Sequence, residues 1–126
     1  MKTPIQTAEA PQAIGPYSQA VKIGKWIFLS GQIPLHPQTM QMVGETVEEQ
    51  TEQVMKNLRA VLAQEKLTLQ SVVKTTIFLK NMSDFPKVNA VYERFLEAPY
   101  PARATIEVAA LPKGALVEIE AIACAE

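Results

Sequence analysis

A β-branched run, Val72–Lys80 (VVKTTIFLK), lies between two stretches of helical periodicity, and the rest of the chain supplies only strand-like runs. Two helices can cover one face of a sheet and no more, so this order constrains the fold more than any other feature. Thr46-Val-Glu-Glu49 reads as a capping box that starts the first helix. The helix is predicted to run to about Lys66, with Val54, Leu58, Val61, Leu62 and Glu65 on one stripe. Glu45, Glu48, Glu49 and Glu52 crowd its start while Lys56, Arg59 and Lys66 come later, the polarity that the helix dipole favours. In the second helix Ser83 is placed at the N-cap and Pro86 in the first turn, and Phe85, Val88, Tyr92, Phe95 and Leu96 form the apolar face. Ala98-Pro-Tyr-Pro101 ends it.

Ala13-Ile-Gly-Pro16 is a turn signal, followed by predicted strands at Tyr17–Ile23 and Trp26–Ser30 around a Gly24-Lys25 turn. Prolines 34 and 37 break regular structure between Gly31 and Gly44, leaving room for a short hairpin. Two strands, Arg103–Ala109 and Leu116–Cys124, close the chain, connected through Leu111-Pro-Lys-Gly114. The order β-β-α-β-α-β-β, with room for an extra edge strand near the N-terminus, predicts an α+β sandwich: a mixed sheet with both helices on one face. No third helix exists to cover the other face. Self-association is therefore expected.

The 126 residues fit one domain, 1–126, and 48% hydrophobic content supports a core. Twelve basic residues against thirteen acidic ones are scattered, so no nucleic-acid or anionic-membrane footprint emerges. Cys124 is the single cysteine and His36 the single histidine, which argues against an intrachain disulfide and against a Cys- or His-based metal site. The longest apolar run, Ala121–Ala125, is far short of the roughly 20 residues that span a bilayer. MKTPIQTAEAP lacks the apolar segment of a signal peptide, and a cytoplasmic location is expected.

Chemistry-bearing residues are few. Arg103 opens a predicted strand with a permanent cation suited to gripping a carboxylate in two parallel hydrogen bonds. The competing reading is a structural ion pair with Glu107, Glu118 or Glu120. Glu118 and Glu120 share a strand face with Leu116 and Ile122. A carboxylate at such a partly apolar seam has a raised pKa and serves as acid or base; the alternative is an edge strand kept soluble by charge. A five-residue loop would place Arg103 and Glu118 on opposite sheet faces, to be reunited by a bulge or a subunit boundary. Tyr17 and Ser30-Gly31 could contact a ligand, or serve as a core residue and a turn. His36 reads as an exposed turn residue and Cys124 as a small buried hydrophobe.

A series of motifs then runs in order along the whole chain: Ala13-Ile-Gly-Pro-Tyr-Ser-Gln-Ala20, Ser30-Gly-Gln-Ile-Pro34, Gln50-Thr51 with Asn57-Leu-Arg-Ala-Val-Leu62, and Val73-Lys-Thr-Thr76. Asp84-Phe85, Val88-Asn-Ala-Val-Tyr92, Pro101-Ala-Arg-Ala104, Leu111-Pro-Lys-Gly114 and Val117-Glu-Ile-Glu-Ala-Ile122 complete it. Together they resemble the RidA family of reactive-intermediate deaminases, also called YjgF-type or endoribonuclease L-PSP. The resemblance implies a chorismate-mutase-like fold, assembled as a homotrimer around a sheet-lined barrel with ligand sites between subunits. It implies hydrolysis of 2-imino acids, such as 2-iminobutanoate and 2-iminopropanoate, to 2-oxo acids and ammonia, protecting pyridoxal-phosphate enzymes, with no cofactor and no metal. By resemblance, Arg103 grips the substrate carboxylate, the backbone at Ala104 and Thr105 completes the grip, and Glu118 orients or deprotonates the attacking water. Tyr17, Ser30, Gly31, Phe85 and Asn89 line the pocket.

Two departures stand out. Thr105 occupies a position where many members carry cysteine, and His36-Pro-Gln-Thr-Met40 replaces an acidic residue before Pro and a Gly after Thr, in a turn expected to lie away from the site. A ribonuclease or translation-inhibitor activity is the second reading, weakened by the scattered charge and the lack of a His pair. A non-catalytic trimer sensing small carboxylates is the third; Arg103 alone would suffice for it.

Overall fold

The computed structural model describes residues 1–126. In chain order the elements are β1 (Thr3–Ile5), β2 (Ala20–Ile23), β3 (Trp26–Gln32), α1 (Val47–Ala63), β4 (Val72–Leu79), α2 (Phe85–Arg94), β5 (Ala102–Glu107) and β6 (Val117–Cys124). The strands form one six-stranded sheet in the order β1-β2-β3-β6-β4-β5, antiparallel except for the parallel pair β4–β5. The predicted α+β architecture is found, and β1 is the extra edge strand. β5 and β6 are adjacent in sequence but not in space: β6 inserts between β3 and β4, while β5 pairs on the far side of β4. Glu118 and Glu120 therefore lie on an interior strand, which removes the soluble-edge reading.

The capping box is formed. The Thr46 hydroxyl accepts from Glu49 N at 3.2 Å, and Glu49 Oε1 accepts from Thr46 N at 3.2 Å. These backbone donors hold the Glu49 carboxyl below the usual range. The helix stops at Ala63, three residues short of the predicted end, where Lys66 takes a left-handed φ of 60° and Leu67 N donates to Leu62 O. Ser83 is not the N-cap of α2. It lies inside a 3-10 turn, Met82–Asp84, that runs directly into the helix at Phe85, with Pro86 in the first turn as expected. The strand predicted from Tyr17 begins only at Ala20, because the preceding segment is folded over as part of a hollow described below.

One face of the sheet carries both helices. Ile27, Leu29, Ile77, Leu79, Val117, Ile119 and Ala123 point into this core and meet Val54, Leu58, Val61 and Leu62 of α1 and Val88 and Tyr92 of α2. Each buried Val, Leu or Ile among them contributes about 1.5–3 kcal/mol on burial. Buried amides tie loops to this core: Asn57 Nδ2 donates to Leu35 O at 3.0 Å, and Gln50 Oε1 accepts from Leu116 N at 2.8 Å. The opposite face is bare. Register puts Trp26 and Phe28 of β3, Lys74, Thr76 and Phe78 of β4, Ala104 and Ile106 of β5, and Glu118, Glu120, Ile122 and Cys124 of β6 on that face. Trp26, Phe28 and Ile106 are 42%, 44% and 45% exposed, far from the burial such side chains normally reach. No helix is long and apolar enough to cross a membrane.

Candidate functional site

The predicted site residues fall into two groups on opposite sides of the sheet. The first lies beside the helices. Arg103 of β5 pairs with Thr75 of β4, which is buried and meets Tyr92 of α2, so the guanidinium emerges on the helix side of the sheet. There it lies 5.1 Å from the ring centre of Phe85 and 5.3 Å from that of Tyr92, and Nη1 donates to Asn89 Oδ1 at 2.6 Å. Phe85, Asn89 and Tyr92 follow one another at i, i+4 and i+7, the spacing that stacks side chains along one helix face. Tyr92 is held in turn by Thr75, whose hydroxyl lies 2.7 Å from the phenol oxygen. Burial raises the Tyr92 pKa, against the opposing influences of the Thr75 hydrogen bond and the Arg103 charge.

Two aromatic rings and one amide thus aim the guanidinium without neutralising it. Its other N–H donors remain available. The structural ion pair does not form: the chain's salt bridges are Lys22–Glu65, Lys25–Glu126 and Lys56–Glu52, and Glu107 instead accepts from Met82 N at 2.7 Å. A hollow of about 530 Å³ opens here between Asn89, Tyr92, Glu93, Tyr100, Pro101 and Arg103. Tyr92 belongs to the core as the sequence predicts, but it also lines this hollow, a second role for which its i+7 spacing from Phe85 was the available signal. Thr105 is on the same side as Arg103, and its hydroxyl oxygen is buried with no hydrogen-bond partner in the chain. Ala104 points the other way, onto the bare face.

The second group surrounds Glu118. Between Leu29 and Gln32 the β3–β6 register shifts, so that Ser30 and Gly31 together oppose the single residue Glu120. Such a bulge bends the strand and re-aims its side chains. Gly31 has no left-handed backbone; it is needed for space, since a Cβ there would overlap the Glu118 carboxylate. Ser30 Oγ donates to Ser18 O at 2.6 Å and Ser30 N donates to Gln19 O at 3.0 Å, fastening the segment that carries Tyr17. Gln19, 3% exposed, donates from Nε2 to Thr7 O, Ala10 O and Pro11 O and accepts from Thr7 N. It anchors the N-terminal segment over the hollow, a role its sequence context did not reveal.

The Glu118 carboxylate has no hydrogen-bond or ion-pair partner in the chain. Burial, and secondarily the neighbouring Glu120 charge, raise its pKa above the usual carboxylate value. The hollow around it measures about 670 Å³, and its lining includes Glu118 and Glu120, Tyr17, Ser30 and Gly31, and the apolar Ile14, Ile33, Leu35 and Met40. Met40 lines this hollow, so the variant turn His36–Met40 is not away from the site as the sequence reading expected. Lys113, also missed, lines it from the loop before β6. His, Cys, Asp and Glu side chains are nowhere gathered in threes that could hold a metal.

Arg103 and Glu118 are therefore on opposite sheet faces within one chain, in separate hollows. This is the class the fold and site define: a one-sheet α+β protein with an aimed, unpaired cation on one side and a half-buried, unpaired carboxylate on the other. The chain belongs to the family described as Endoribonuclease L-PSP, whose model matches residues 7–125. It is 56% identical over 121 residues to Protein DfrA of Myxococcus xanthus, covering 94% of this chain and 92% of that one. It is 50% identical over 122 residues to Reactive Intermediate Deaminase A, chloroplastic, of Arabidopsis thaliana, covering 97% of this chain and 65% of that protein. Its fold matches the crystal structure of E. coli TdcF with bound serine at TM-score 0.92 and 40% identity, covering 97% of this chain and 98% of the other. The resemblance to the RidA family is thereby confirmed.

Proposed function

We propose that this protein is a cytoplasmic, homotrimeric deaminase that hydrolyses 2-imino acids, among them 2-iminobutanoate and 2-iminopropanoate, to 2-oxo acids and ammonia. The observation that carries this reading is the pair of unpaired charges: Arg103, aimed by Phe85, Tyr92 and Asn89 but free of any carboxylate, and Glu118, half-buried and free of any cation. An arginine held in this way suits a substrate carboxylate. A carboxylate with a raised pKa suits proton transfer near neutral pH. The bare apolar face supports association with further copies, which would bring the Arg103 of one subunit to the Glu118 of the next. The Arabidopsis relative's name as a reactive intermediate deaminase and the serine held by TdcF, a small molecule with an α-carboxylate, support the same substrate class.

In this mechanism Arg103 fixes the carboxylate and the protonated imine presents an electrophilic carbon. Glu118 takes a proton from water as the water oxygen bonds to that carbon, giving a carbinolamine. Glu118 returns the proton to nitrogen, and the C–N bond breaks with its electron pair leaving on ammonia. The hydroxyl proton passes through Glu118 to ammonia, leaving 2-oxo acid and ammonium. Positioning and proton transfer supply the rate gain.

A threonine dehydratase generating 2-iminobutanoate in the presence of semicarbazide tests this directly. The wild type is expected to restore 2-oxobutanoate formation against the trap, and Arg103→Ala and Glu118→Gln to fail. A wild type inactive on several imino acids would remove the catalytic reading. A Glu118→Gln variant as active as wild type would remove Glu118 from the chemistry.

A further inference from the structure

We propose that Met40 is a specificity-determining residue of the Glu118 hollow, selecting 2-imino acids with aliphatic or thioether side chains longer than two carbons; this rests on the deaminase reading. Three residues other than glycine have a left-handed backbone: Met40 (φ 60°), Lys66 (φ 60°) and Lys113 (φ 56°). Lys66 ends α1 in an ordinary capping turn, with Leu67 N donating to Leu62 O at 3.0 Å. The other two both line the hollow that holds Glu118. Backbone strain concentrated at one cavity is the pattern of a site whose geometry is over-determined by its surroundings.

For Met40 those surroundings are explicit. Its N–H donates to His36 O at 2.8 Å, His36 N donates to Gln41 O at 2.9 Å, and Leu35 bridges to Met42. His36 Nδ1 accepts from Gln38 N at 3.1 Å, and Gln38 Nε2 ties the turn to Ala8 O at 3.2 Å. This clamped turn would accept glycine without strain, yet it carries a long apolar side chain that is half-buried along the cavity. Ile14, Ile33 and Leu35 line the same hollow and, with Met40, supply apolar surface in the cavity that holds the carboxylates. On a single chain, before a second copy is added, the hollow measures about 670 Å³, within the roughly 300–1,000 Å³ of pockets that hold ligands larger than a three- or four-carbon imino acid. The unbranched, polarisable thioether adapts to substrate chains of differing shape.

The test compares the imino acids produced from alanine and from leucine by an L-amino-acid oxidase, with semicarbazide as the trap. The ratio of kcat/KM for the leucine-derived imine to that for the alanine-derived imine is expected to fall about tenfold in Met40→Gly, the scale of one lost apolar contact in a pocket. Met40→Asn, which tolerates the left-handed backbone but removes the apolar tip, is expected to lower the ratio likewise and serves if the glycine variant folds poorly. Met40→Leu should return the ratio towards wild type. An unchanged ratio in a folded Met40→Gly or Met40→Asn protein overturns the proposal. Calorimetric titration with 4-methyl-2-oxopentanoate and with pyruvate makes the same comparison without catalysis. A preference lost in the variants, with no hydrolysis by the wild type, would sink the deaminase reading while leaving the selectivity of Met40 standing. Retained hydrolysis with equal preference would sink the role of Met40 alone.

Discussion

Arg103 pairs across the sheet with Thr75, and Glu118 pairs with Phe78 of the same strand, three residues further on. An odd separation along a strand places two side chains on opposite faces, so no rotamer within one chain can bring this cation and this carboxylate together. A site that uses both must be built from two copies.

Mixing variants exploits this. Arg103→Ala and Glu118→Gln proteins are each expected to be inactive, and unfolding and refolding them together at equal ratio should recover about a quarter of wild-type activity, since one random interface in four joins an intact Arg103 to an intact Glu118. Steady-state imine hydrolysis of the remixed sample reads this out. No recovery after verified subunit exchange would mean that the two residues do not share a site.

Gly31→Ala probes the close approach of β3 to Glu118. The added methyl overlaps the carboxylate, the mobile end of a side chain, so the carboxylate moves rather than the fold. The melting temperature is expected to change little while kcat/KM falls about 10²-fold, the usual effect of misplacing a reacting group by roughly an ångström.

The acid limb of the pH–rate profile should report Glu118. As the proposed base it must be ionised, and its pKa is raised by burial and then by Glu120. Activity is therefore expected to rise with pH through an apparent pKa above the usual carboxylate value, and Glu120→Gln should move that limb to lower pH. The stability sign is opposite. The folded state holds this proton more tightly than the unfolded chain, so the contribution of Glu118 to stability is full below the unfolded pKa and is lost as pH rises through the folded value. Glu118→Gln should consequently raise the melting temperature at neutral pH while abolishing activity.

Gln19→Ala removes four hydrogen bonds at a buried position and strands backbone groups of Thr7, Ala10 and Pro11. Chemical denaturation is expected to show a loss of about 1–3 kcal/mol, the desolvation cost of unpaired buried polar groups. Amide exchange should quicken in the segment before Tyr17.

Much of the protein is legible from local rules. The capping box at Thr46 and Glu49, the two amphipathic helices, the β-branched β4 and the uncovered sheet face all follow from periodicity and short-range hydrogen bonding. The same holds for the alternation that sets Glu118 and Glu120 on one face with Ile122. Boundaries were less secure where neighbours in space decide them: the Ser83 cap gives way to a 3-10 turn, and the strand from Tyr17 yields to a segment pinned by Gln19.

What sequence alone determined is therefore the set of elements, their order and the residue types available for chemistry, because these depend on interactions among residues close along the chain. Only the tertiary structure decided that β6 inserts between β3 and β4, that a bulge brings Gly31 onto Glu118, and that Met40 faces the same cavity. Strand order and cavity walls depend on contacts between residues distant in sequence. Local propensity carries no information about them, and many pairings share one periodicity until packing selects among them.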